Sequence, residues 1–289
     1  MDFLVTEAFE QTWLCRRHDF QRHRNAGVPP MDVFDPHCVS VAIVLCEQAP
    51  ATVLEVSARI SLECVGKGPL VVVGPGAKVL LMERRVESPC RITVLPGQTV
   101  VVEAPTLGQR TILATPKGWM PPVPFGAANC QSIRPGQKLI SQSEGKERKD
   151  LRLDSELLAF NKVLRVIGGE NLPEKWTVLA DSDRRGIRLV SDQMVEGLPG
   201  LSTSRPCIVG TCQLTPDGTL IIHGPDGPTI GGYAQVGQLI TPDRRVVAQL
   251  RPGDEVSIAS VSIDEALEIG RQHGAEQNKW VQQIRMACE

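Results

Sequence analysis

Short apolar runs, interrupted at regular intervals along almost the whole chain, limit the possible folds more than any other feature of this sequence. Runs such as PLVVVGPGAKVLLM, CRITVLPGQTVVVE, GTLIIHG and EVSIASV are rich in β-branched residues. Gly, Pro, Asp or Asn separates such runs roughly every 8 to 12 residues, as in all-β proteins. Within RITVLPGQTVVVE, apolar and polar residues alternate with a period of two. The spacing predicts a mainly β protein, built as a sandwich or a barrel.

Helical spacing is confined to three segments. The pattern predicts helices over residues 35–47, over DSELLAFNKVL at 154–164 and over residues 262–286. The third would begin at SIDEAL, where Ser262 and Glu265 have the spacing of a capping box. The predicted fold class is therefore mainly β with a C-terminal helix.

A polar and charged stretch, QSEGKERKDLR at 142–152, has no apolar face and predicts a linker. It separates two expected domains, 1–145 and 146–289, each of ordinary size. A Pro-Gly turn followed by a strand pattern occurs in LPGQTVVVE, IRPGQKLIS and RPGDEVSIAS. This recurrence is weak support for two related barrels, because Pro-Gly turns before strands are common.

Composition and charge argue against several classes of protein. The 31 basic and 33 acidic residues nearly cancel, so the sequence predicts no general attraction to nucleic acid or to an anionic membrane. No apolar run reaches the roughly 20 residues that a membrane-spanning helix needs. The first residues lack the layout of an export signal, and we expect a cytoplasmic protein.

The cysteines and histidines do not form recognisable metal or disulfide patterns. Nine cysteines are present, their number is odd and no CxxC pair occurs, so we expect small buried thiols in a reducing compartment. The five histidines show no HExxH spacing, and we expect no bound metal. The serines never occur in GxSxG, which argues against a serine nucleophile on a strand-to-helix turn.

A glycine-rich loop, GPDGPTIGGY at 224–233, ends at the only tyrosine, Tyr233. Gly231 and Gly232 lack Cβ and let the backbone lie close to a partner, while Asp226 and Thr229 supply oxygen atoms. A plain β-turn with a packed tyrosine is the alternative. No GxxxxGK[ST] pattern occurs, and this turn contains no Lys or Arg, so the loop alone does not predict a nucleotide site.

A second candidate is ADSDRRGIRLVS at 180–191, where acidic and basic residues alternate around a glycine. If residues 186–190 form a strand, Gly186 leaves room beside Arg188 for a ligand carboxylate, which a guanidinium binds through two parallel hydrogen bonds. The alternative is an exposed loop with internal Asp–Arg pairs, each worth about 0 to 1 kcal/mol. Both interpretations remain open from the local pattern.

Taken in order, SDRRGIRL, GTCQLTPDGTLIIHGPDGPTIGGY, AQLRPGDEVSI and VSIDEALE resemble the allophanate hydrolase subunit 2 family. Members of this family are similar to the C subunit of bacterial ATP-dependent 5-oxoprolinase. The resemblance covers residues 160–270. The N-terminal half is similar in GVP at 27–29, in Asp35 and in Glu55, whereas DFQR and PFGAAN depart from the family pattern.

The resemblance implies two tandem cyclophilin-like β-barrel domains and a B-type partner subunit, with a third hydrolase subunit as a further partner. It implies ATP, with Mg, acting through the complex on a small cyclic or linear amide such as 5-oxoproline. Catalytic roles are implied for Asp183, Arg188, Asp226 and Tyr233. Substrate-binding roles are implied for Arg184, Gln213, Thr229, Gly231, Gly232, Gln249, Arg251, Asp35 and Glu55.

Three functional hypotheses follow. The first is an enzyme subunit that opens 5-oxoproline or a related amide and is inactive alone. The second is a binding or regulatory protein that keeps the fold and the partner surface, which the altered DFQR stretch favours. The third is a stand-alone barrel with an unrelated ligand.

Overall fold

The computed structural model describes residues 2–9, 12–16, 26–82, 84–121, 130–142, 149–193 and 195–288. The chain forms two compact units: residues 1–19, 35–159 and 278–289 belong to the first, and residues 20–34 and 160–277 to the second. The expected mainly β fold is confirmed, with 19% of the residues helical. The domain limits 1–145 and 146–289 stay a prediction.

The described residues of the first unit form short strands, helix α1 (Pro36–Cys46) and the last residues of the C-terminal helix. In chain order, its strands begin with β1 (Asp2–Ala8), β2 (Thr12–Arg16), β3 (Thr52–Val56), β4 (Ile60–Cys64), β5 (Gly68–Val73), β6 (Lys78–Leu81) and β7 (Arg84–Glu87). They continue with β8 (Cys90–Val94), β9 (Thr99–Val102), β10 (Thr111–Ala114), β11 (Trp119–Met120), β12 (Cys130–Ser132), β13 (Lys138–Ser141) and β14 (Leu151–Arg152).

These strands form two seven-stranded sheets, in the orders β11-β13-β1-β4-β9-β6-β7 and β12-β2-β3-β10-β5-β8-β14. Residues from both sheets, among them Phe3, Leu62, Leu54 and Leu113, join one buried apolar core. Helix α1 (Pro36–Cys46) contacts β5 and β10. It agrees with the helix predicted over 35–47.

The second unit is a closed barrel. Its strands are β15 (Val163–Ile167), β16 (Lys175–Val178), β17 (Gly186–Val190), β19 (Thr211–Leu214), β20 (Leu220–His223), β22 (Ala234–Leu239) and β23 (Glu255–Val261). The order around the barrel is β15-β22-β19-β20-β17-β16-β23, and β15 closes the barrel by pairing in parallel with β23. Two short strands, β18 (Arg205–Pro206) and β21 (Ile230–Gly231), form a separate ladder. The apolar core of the barrel contains Trp176, Leu189 and Ile222.

Two of the three predicted helices form. Helix α3 (Ile263–Cys288) starts at the expected capping box, where the Ser262 backbone N–H donates to Glu265 Oε2 at 2.8 Å and the Glu265 N–H donates to Ser262 Oγ at 3.2 Å. The helix predicted over 154–164 is wrong. Only Ser155–Leu158 is helical, as one 3₁₀ turn, and the β-branched run that follows alternates buried and half-buried residues as β15.

The short helix α2 (Arg244–Gln249) lies between β22 and β23. The predicted linker at 142–152 is wrong at its end, since Leu151–Arg152 forms β14 and pairs with β8. Residues 143–148 of this linker lie outside the described residues.

The three Pro-Gly turns share one hydrogen-bond pattern. Gly97, Gly136 and Gly253 all have positive φ, between 78° and 85°. In each turn, the side chain of the fourth residue accepts a hydrogen bond from the backbone N–H of the first. The bonds join Leu95 to Gln98, Arg134 to Gln137 and Arg251 to Asp254. The Pro-Gly recurrence therefore marks one local turn used three times.

The expectation that every cysteine is a thiol is wrong for two of them. Cys15 and Cys130 form a disulfide, because β2 and β12 place them directly opposite each other in one ladder. Among the described side chains, six further cysteines are buried thiols outside any disulfide. Burial raises the pKa of the Cys90 and Cys212 thiols to about 12, which makes both poor nucleophiles.

Candidate functional site

The outer face of the barrel wall at β17, β20, β19 and β22 carries a row of three polar side chains, which apolar Ile221 interrupts. Strand register places Arg188 beside Ile221, Ile221 beside Gln213, and Gln213 beside Gln235. The neighbouring residues Ile187 and Ile222 point into the apolar core. Because side chains alternate along a strand, this row lies on the face turned away from the core.

A cover formed by β18, β21 and the loop between His223 and Tyr233 lies over this wall. The Cys207 N–H donates to Thr229 O at 2.8 Å, which joins the two edges of the cover. A Cβ on Gly231 would lie 2.6 Å from Gln213 Nε2 and 2.9 Å from Cys207 Sγ. The same atom on Gly232 would meet only Ser204 Oγ, at 3.7 Å. Gly231 is therefore the glycine that the close approach requires.

Under the cover, Gln213 and His223 contact each other. Gln213 Nε2 donates to Tyr233 O at 3.1 Å, and Gln213 Oε1 lies 2.8 Å from His223 Nε2. Both side chains are buried. Burial lowers the pKa of the His223 imidazole because it disfavours the charged ring. The pair is thus a neutral hydrogen-bonded unit on the barrel wall.

The turn SDRRG separates its two neighbouring arginines. Arg185 points outward, and its Nε donates to Asp183 Oδ2 at 2.8 Å. Arg184 points inward, donating to Asp226 Oδ2 at 2.8 Å through Nε and to Asp226 Oδ1 at 3.0 Å through Nη2. Arg184 Nη2 also donates to Asp32 O at 2.5 Å. Arg184 therefore fastens the glycine-rich loop to the segment around Asp32.

Arg188 lies on strand β17, as expected, and its side chain is 40% exposed. Its Nε lies 3.3 Å from Asp181 Oδ2, and Asp181 is 65% exposed. An exposed pair of this kind contributes about 0 to 1 kcal/mol, so the guanidinium remains available to another anion. The internal Asp–Arg pairs expected from the second interpretation of this segment are present, as Asp183–Arg185 and Asp181–Arg188.

The predicted site residues fall into three places. The barrel wall and its cover bring together Asp183, Arg184, Arg188, Gln213, Asp226, Thr229, Gly231, Gly232 and Tyr233 within the second unit. The Tyr233 side chain is 44% exposed, and its backbone oxygen makes the contact to Gln213. Gln249 is buried at the end of α2, and Arg251 begins the Pro-Gly turn that leads into β23.

The remaining two residues, Asp35 and Glu55, belong to the first unit. Asp35 Oδ1 accepts hydrogen bonds from the N–H groups of His37 at 2.8 Å and Cys38 at 3.0 Å, so it caps α1. Glu55 is buried, and its Oε1 lies 3.4 Å from Arg110 Nε. These contacts give both carboxylates a structural role in that unit.

His223 and Cys207 are site residues that the sequence pattern did not single out. Both line a small cavity under the cover, together with Pro30, Ile208, Gly224, Gly227, Pro228 and Thr229. Sequence reasoning could have found His223 because it follows Ile221 by two residues on one strand, which puts both side chains on the same face. Cys207, which lies between Pro206 and Ile208, has no comparable pattern in the sequence.

Within the described ranges, no group of three or more His, Cys, Asp or Glu side chains has the spacing of a metal site. In the same part of the chain, no helix combines the length and apolar character needed to cross a bilayer.

Known proteins are similar in sequence to this barrel, and one of them is similar over almost the whole chain. The family described as carboxyltransferase domain, subdomain A and B, matches residues 168–260, which include the wall and its cover. The chain is 23% identical to the C subunit of 5-oxoprolinase from Escherichia coli (strain K12), over 91% of this chain and 93% of that protein. It is 30% identical to the C subunit of 5-oxoprolinase from Haemophilus influenzae, over 41% of this chain and 38% of that protein.

Solved structures show the same fold. The urea amidolyase of K. lactis aligns with a TM-score of 0.80 and 20% identity over 98% of this chain. The matched structures are longer: the chain spans 20% of the urea amidolyase and 56% of the protein TTHA0988. The family match over residues 168–260, the two 5-oxoprolinase relatives and the motifs of the barrel wall agree with the resemblance of this chain to the allophanate hydrolase subunit 2 / 5-oxoprolinase C family.

Proposed function

We propose that this protein is a subunit of an ATP-dependent amide hydrolase similar to 5-oxoprolinase, and that it acts with a B-type partner subunit. The observation that carries the proposal is the polar row on the barrel wall. It places an exposed guanidinium, Arg188, on the same face as the buried amide of Gln213, beneath a cover whose glycine permits close approach. The names of the two bacterial relatives support the choice of complex.

The row suits a small ligand that carries both an amide and a carboxylate. Adjacent strands lie about 4.8 Å apart, so Arg188 and Gln213, two strands away, have backbones about 10 Å apart. Arg188 would hold the carboxylate through two parallel hydrogen bonds. The amide group would then lie toward Gln213 and the loop that ends at Tyr233. Five-membered lactams with a carboxylate, such as 5-oxoproline, have this combination of groups.

Proton transfer is assigned to acidic groups at the edge of this row. Asp183 is exposed, but its two oxygens already accept hydrogen bonds from Arg185. Asp226 is engaged by Arg184 in the described structure. Tyr233 offers an exposed phenol next to the glycine pair. We propose these three residues as the groups that hold or move protons when the amide opens.

The proposal leaves nucleotide binding to the complex. ATP with Mg supplies the phosphoryl group that activates the amide carbonyl. The sequence has no GxxxxGK[ST] loop, and the cationic candidates on this chain are Arg188 and Arg251. Arg251 begins a tight turn in which its backbone N–H donates to Asp254 Oδ2 at 2.9 Å. Arg188 lies on the same face of the barrel wall as Gln213, so we propose Arg188 as the first candidate for anion contact. A third hydrolase subunit would complete the reaction.

A second candidate is a binding or regulatory homologue that keeps the fold and the partner surface. The observation that favours it is the internal pairing of expected ligand-binding groups. Arg184 and Asp226 are bonded to each other, Glu55 faces Arg110 and Asp35 caps a helix. Such a homologue would bind the partner without turnover.

The test is reconstitution with the cognate B-type subunit. ATP hydrolysis by the mixture is measured with and without 5-oxoproline, for the wild type, for Arg188→Ala and for Arg271→Ala. Arg271 also forms an exposed ion pair, with Glu268, but lies on helix α3 and serves as the matched control. We expect 5-oxoproline to stimulate hydrolysis, Arg188→Ala to abolish the stimulation and Arg271→Ala to keep it. A stable complex with no stimulated turnover would favour the regulatory homologue.

A further inference from the structure

The orientation of the Gln213 amide determines which nitrogen of His223 carries the proton. Gln213 Nε2 donates to Tyr233 O at 3.1 Å, and the reverse orientation would set two oxygens against each other. Gln213 Oε1 must therefore face His223 Nε2, 2.8 Å away. Since an oxygen only accepts, Nε2 carries the hydrogen. In the neutral ring, the other nitrogen, Nδ1, is then a bare acceptor.

This acceptor has no hydrogen-bond partner among the described residues. The His223 side chain is buried, with 5% of the residue exposed. Protonation would turn Nδ1 into a donor, but burial lowers the pKa of the imidazole and favours the neutral ring. A buried acceptor without a donor is energetically unfavourable, so a donor supplied from outside the protein would bind there favourably.

The space for such a donor lies beside the ring. His223 lines a cavity of about 10 Å³, which corresponds to one water-sized group. Gly227 lines the same cavity, and a Cβ at this position would lie 2.9 Å from His223 Nδ1. Exposed Ile208 and Pro228 also belong to its lining, so the cavity extends from the buried ring to the surface of the cover. The absence of a side chain at Gly227 keeps Nδ1 uncovered.

We propose that this cavity is a subsite for one hydrogen-bond donor, the N–H of an amide or lactam ligand, and that neutral His223 recognises the donor through Nδ1. The choice of an amide as ligand rests on the proposed function, whereas the state of the imidazole does not. The ring of a lactam is larger than the cavity and would remain at its opening, with only the N–H edge inserted. An ordered water would use the same acceptor, and the experiment separates the two.

The first measurement is the tautomer of His223 in the isolated protein. Long-range ¹H–¹⁵N correlation spectra of labelled protein at pH 7 report each ring nitrogen, and His223→Gln assigns the signal among the five histidines. We expect a protonated Nε2 and an unprotonated Nδ1. A hydrogen on Nδ1, or a charged ring at pH 7, would overturn the proposal.

The second measurement compares two lactams that differ in one donor. 2-Pyrrolidone has an N–H, whereas N-methyl-2-pyrrolidone does not. We expect 2-pyrrolidone to shift the Nδ1 signal and to bind about tenfold more tightly than its N-methyl form, which is the value of one buried hydrogen bond. In His223→Gln, the two ligands should bind with equal affinity. The variant His273→Gln, changed on helix α3, should keep the tenfold preference.

Equal binding of both lactams to the wild type, or no shift of Nδ1 by either, would show that the acceptor serves water only and would overturn the ligand role. Added 5-oxoproline separates this inference from the proposed function. If 2-pyrrolidone shifts Nδ1 and 5-oxoproline does not, the subsite stands and the assignment to 5-oxoproline fails. If both shift Nδ1 and the reconstituted complex shows no turnover, the subsite stands and catalysis fails.

Discussion

Each unit buries a small set of polar side chains, and the two sets are arranged differently. In the first unit, Asp35 caps α1, His37 Nε2 lies 3.0 Å from Leu157 O and Glu55 faces Arg110. In the barrel, Gln213 and His223 bond to each other, and a glycine-bearing loop covers them. Burial of polar groups is common to both sets. The glycine cover distinguishes the barrel set, because at Gly231 its backbone lies directly against the buried Gln213 side chain.

The largest effect is expected from breaking the pair that fastens this cover. Arg184→Ala removes the two hydrogen bonds that the Arg184 guanidinium donates to the largely buried Asp226 carboxylate. Removal of one partner of a buried ion pair costs about 3 to 5 kcal/mol, and we expect a loss near the lower limit because Asp226 keeps some exposure. Urea unfolding followed by tryptophan fluorescence gives the free energy of unfolding.

The matched control is Arg188→Ala, since Arg188 belongs to an exposed pair. We expect this variant to change the free energy of unfolding by less than about 1 kcal/mol. Equal losses in both variants would mean that burial of the Arg184–Asp226 pair adds nothing to the stability of the barrel.

The glycine pair provides a sharper comparison within the cover itself. Gly231→Ala places a Cβ against Gln213 and Cys207, and overpacking of this kind costs about 1 to 3 kcal/mol. Gly232→Ala has open space and should be nearly neutral. Thermal unfolding of both variants measures the difference. Equal melting temperatures of the two alanine variants would show that the cover is not packed closely against the wall at Gly231.

Asp35 tests whether the carboxylates of the first unit are structural. Asp35→Ala removes the cap of α1, and loss of a cap costs about 0.5 to 2 kcal/mol. Because Asp35 accepts two N–H hydrogen bonds in a buried place, we expect a loss at the upper end of this range. Ser262→Ala at the exposed start of α3 should cost about 0.5 to 1 kcal/mol. Urea denaturation compares the two. An Asp35→Ala variant with unchanged stability and impaired ligand binding would support the predicted substrate-binding role.

The smallest effect concerns pH. Burial lowers the folded-state pKa of His223 from its ordinary value of 6.5. Below pH 6.5, His223 therefore binds a proton more readily in the unfolded chain than in the folded one. Stability should therefore fall as pH drops from 6.5 toward the folded-state pKa, and should not change above pH 7 on this account. The pKa of His273 is lowered as well, mainly by burial. His223→Gln and His273→Gln should each remove part of the acid sensitivity, measured as the melting temperature between pH 5 and 7.

The mainly β fold and two of its helices could be predicted from the sequence. Periodicity and turn residues are local signals, and β5, β6, β20 and β23 follow them closely. The segment after Asp154 was misread because its apolar spacing suits a helix, while β-branched Val163 and Val166 favour the barrel strand that tertiary pairing selects.

The candidate site could be predicted only as a set of motif residues. The motifs place Arg184 and Arg188 in one candidate group, but whether each points inward or outward depends on the turn that Asp183 and Gly186 form. The Gln213–His223 contact and the Cys15–Cys130 disulfide depend on strand register. Register is a property of the folded sheets, and spacing along the chain does not reveal it.

The three Pro-Gly turns have a consequence for how family motifs are interpreted. In each of them, the side chain of the fourth residue accepts a hydrogen bond from the backbone N–H of the first, so four consecutive residues close one local turn. RPGD at 251–254 is one of these turns, and it is also part of the family pattern. The geometry of chain reversal gives Gly253 and Asp254 a structural reason for their place in that pattern. A motif shared across a family can thus reflect how the chain turns, and its presence alone does not identify a ligand-binding residue.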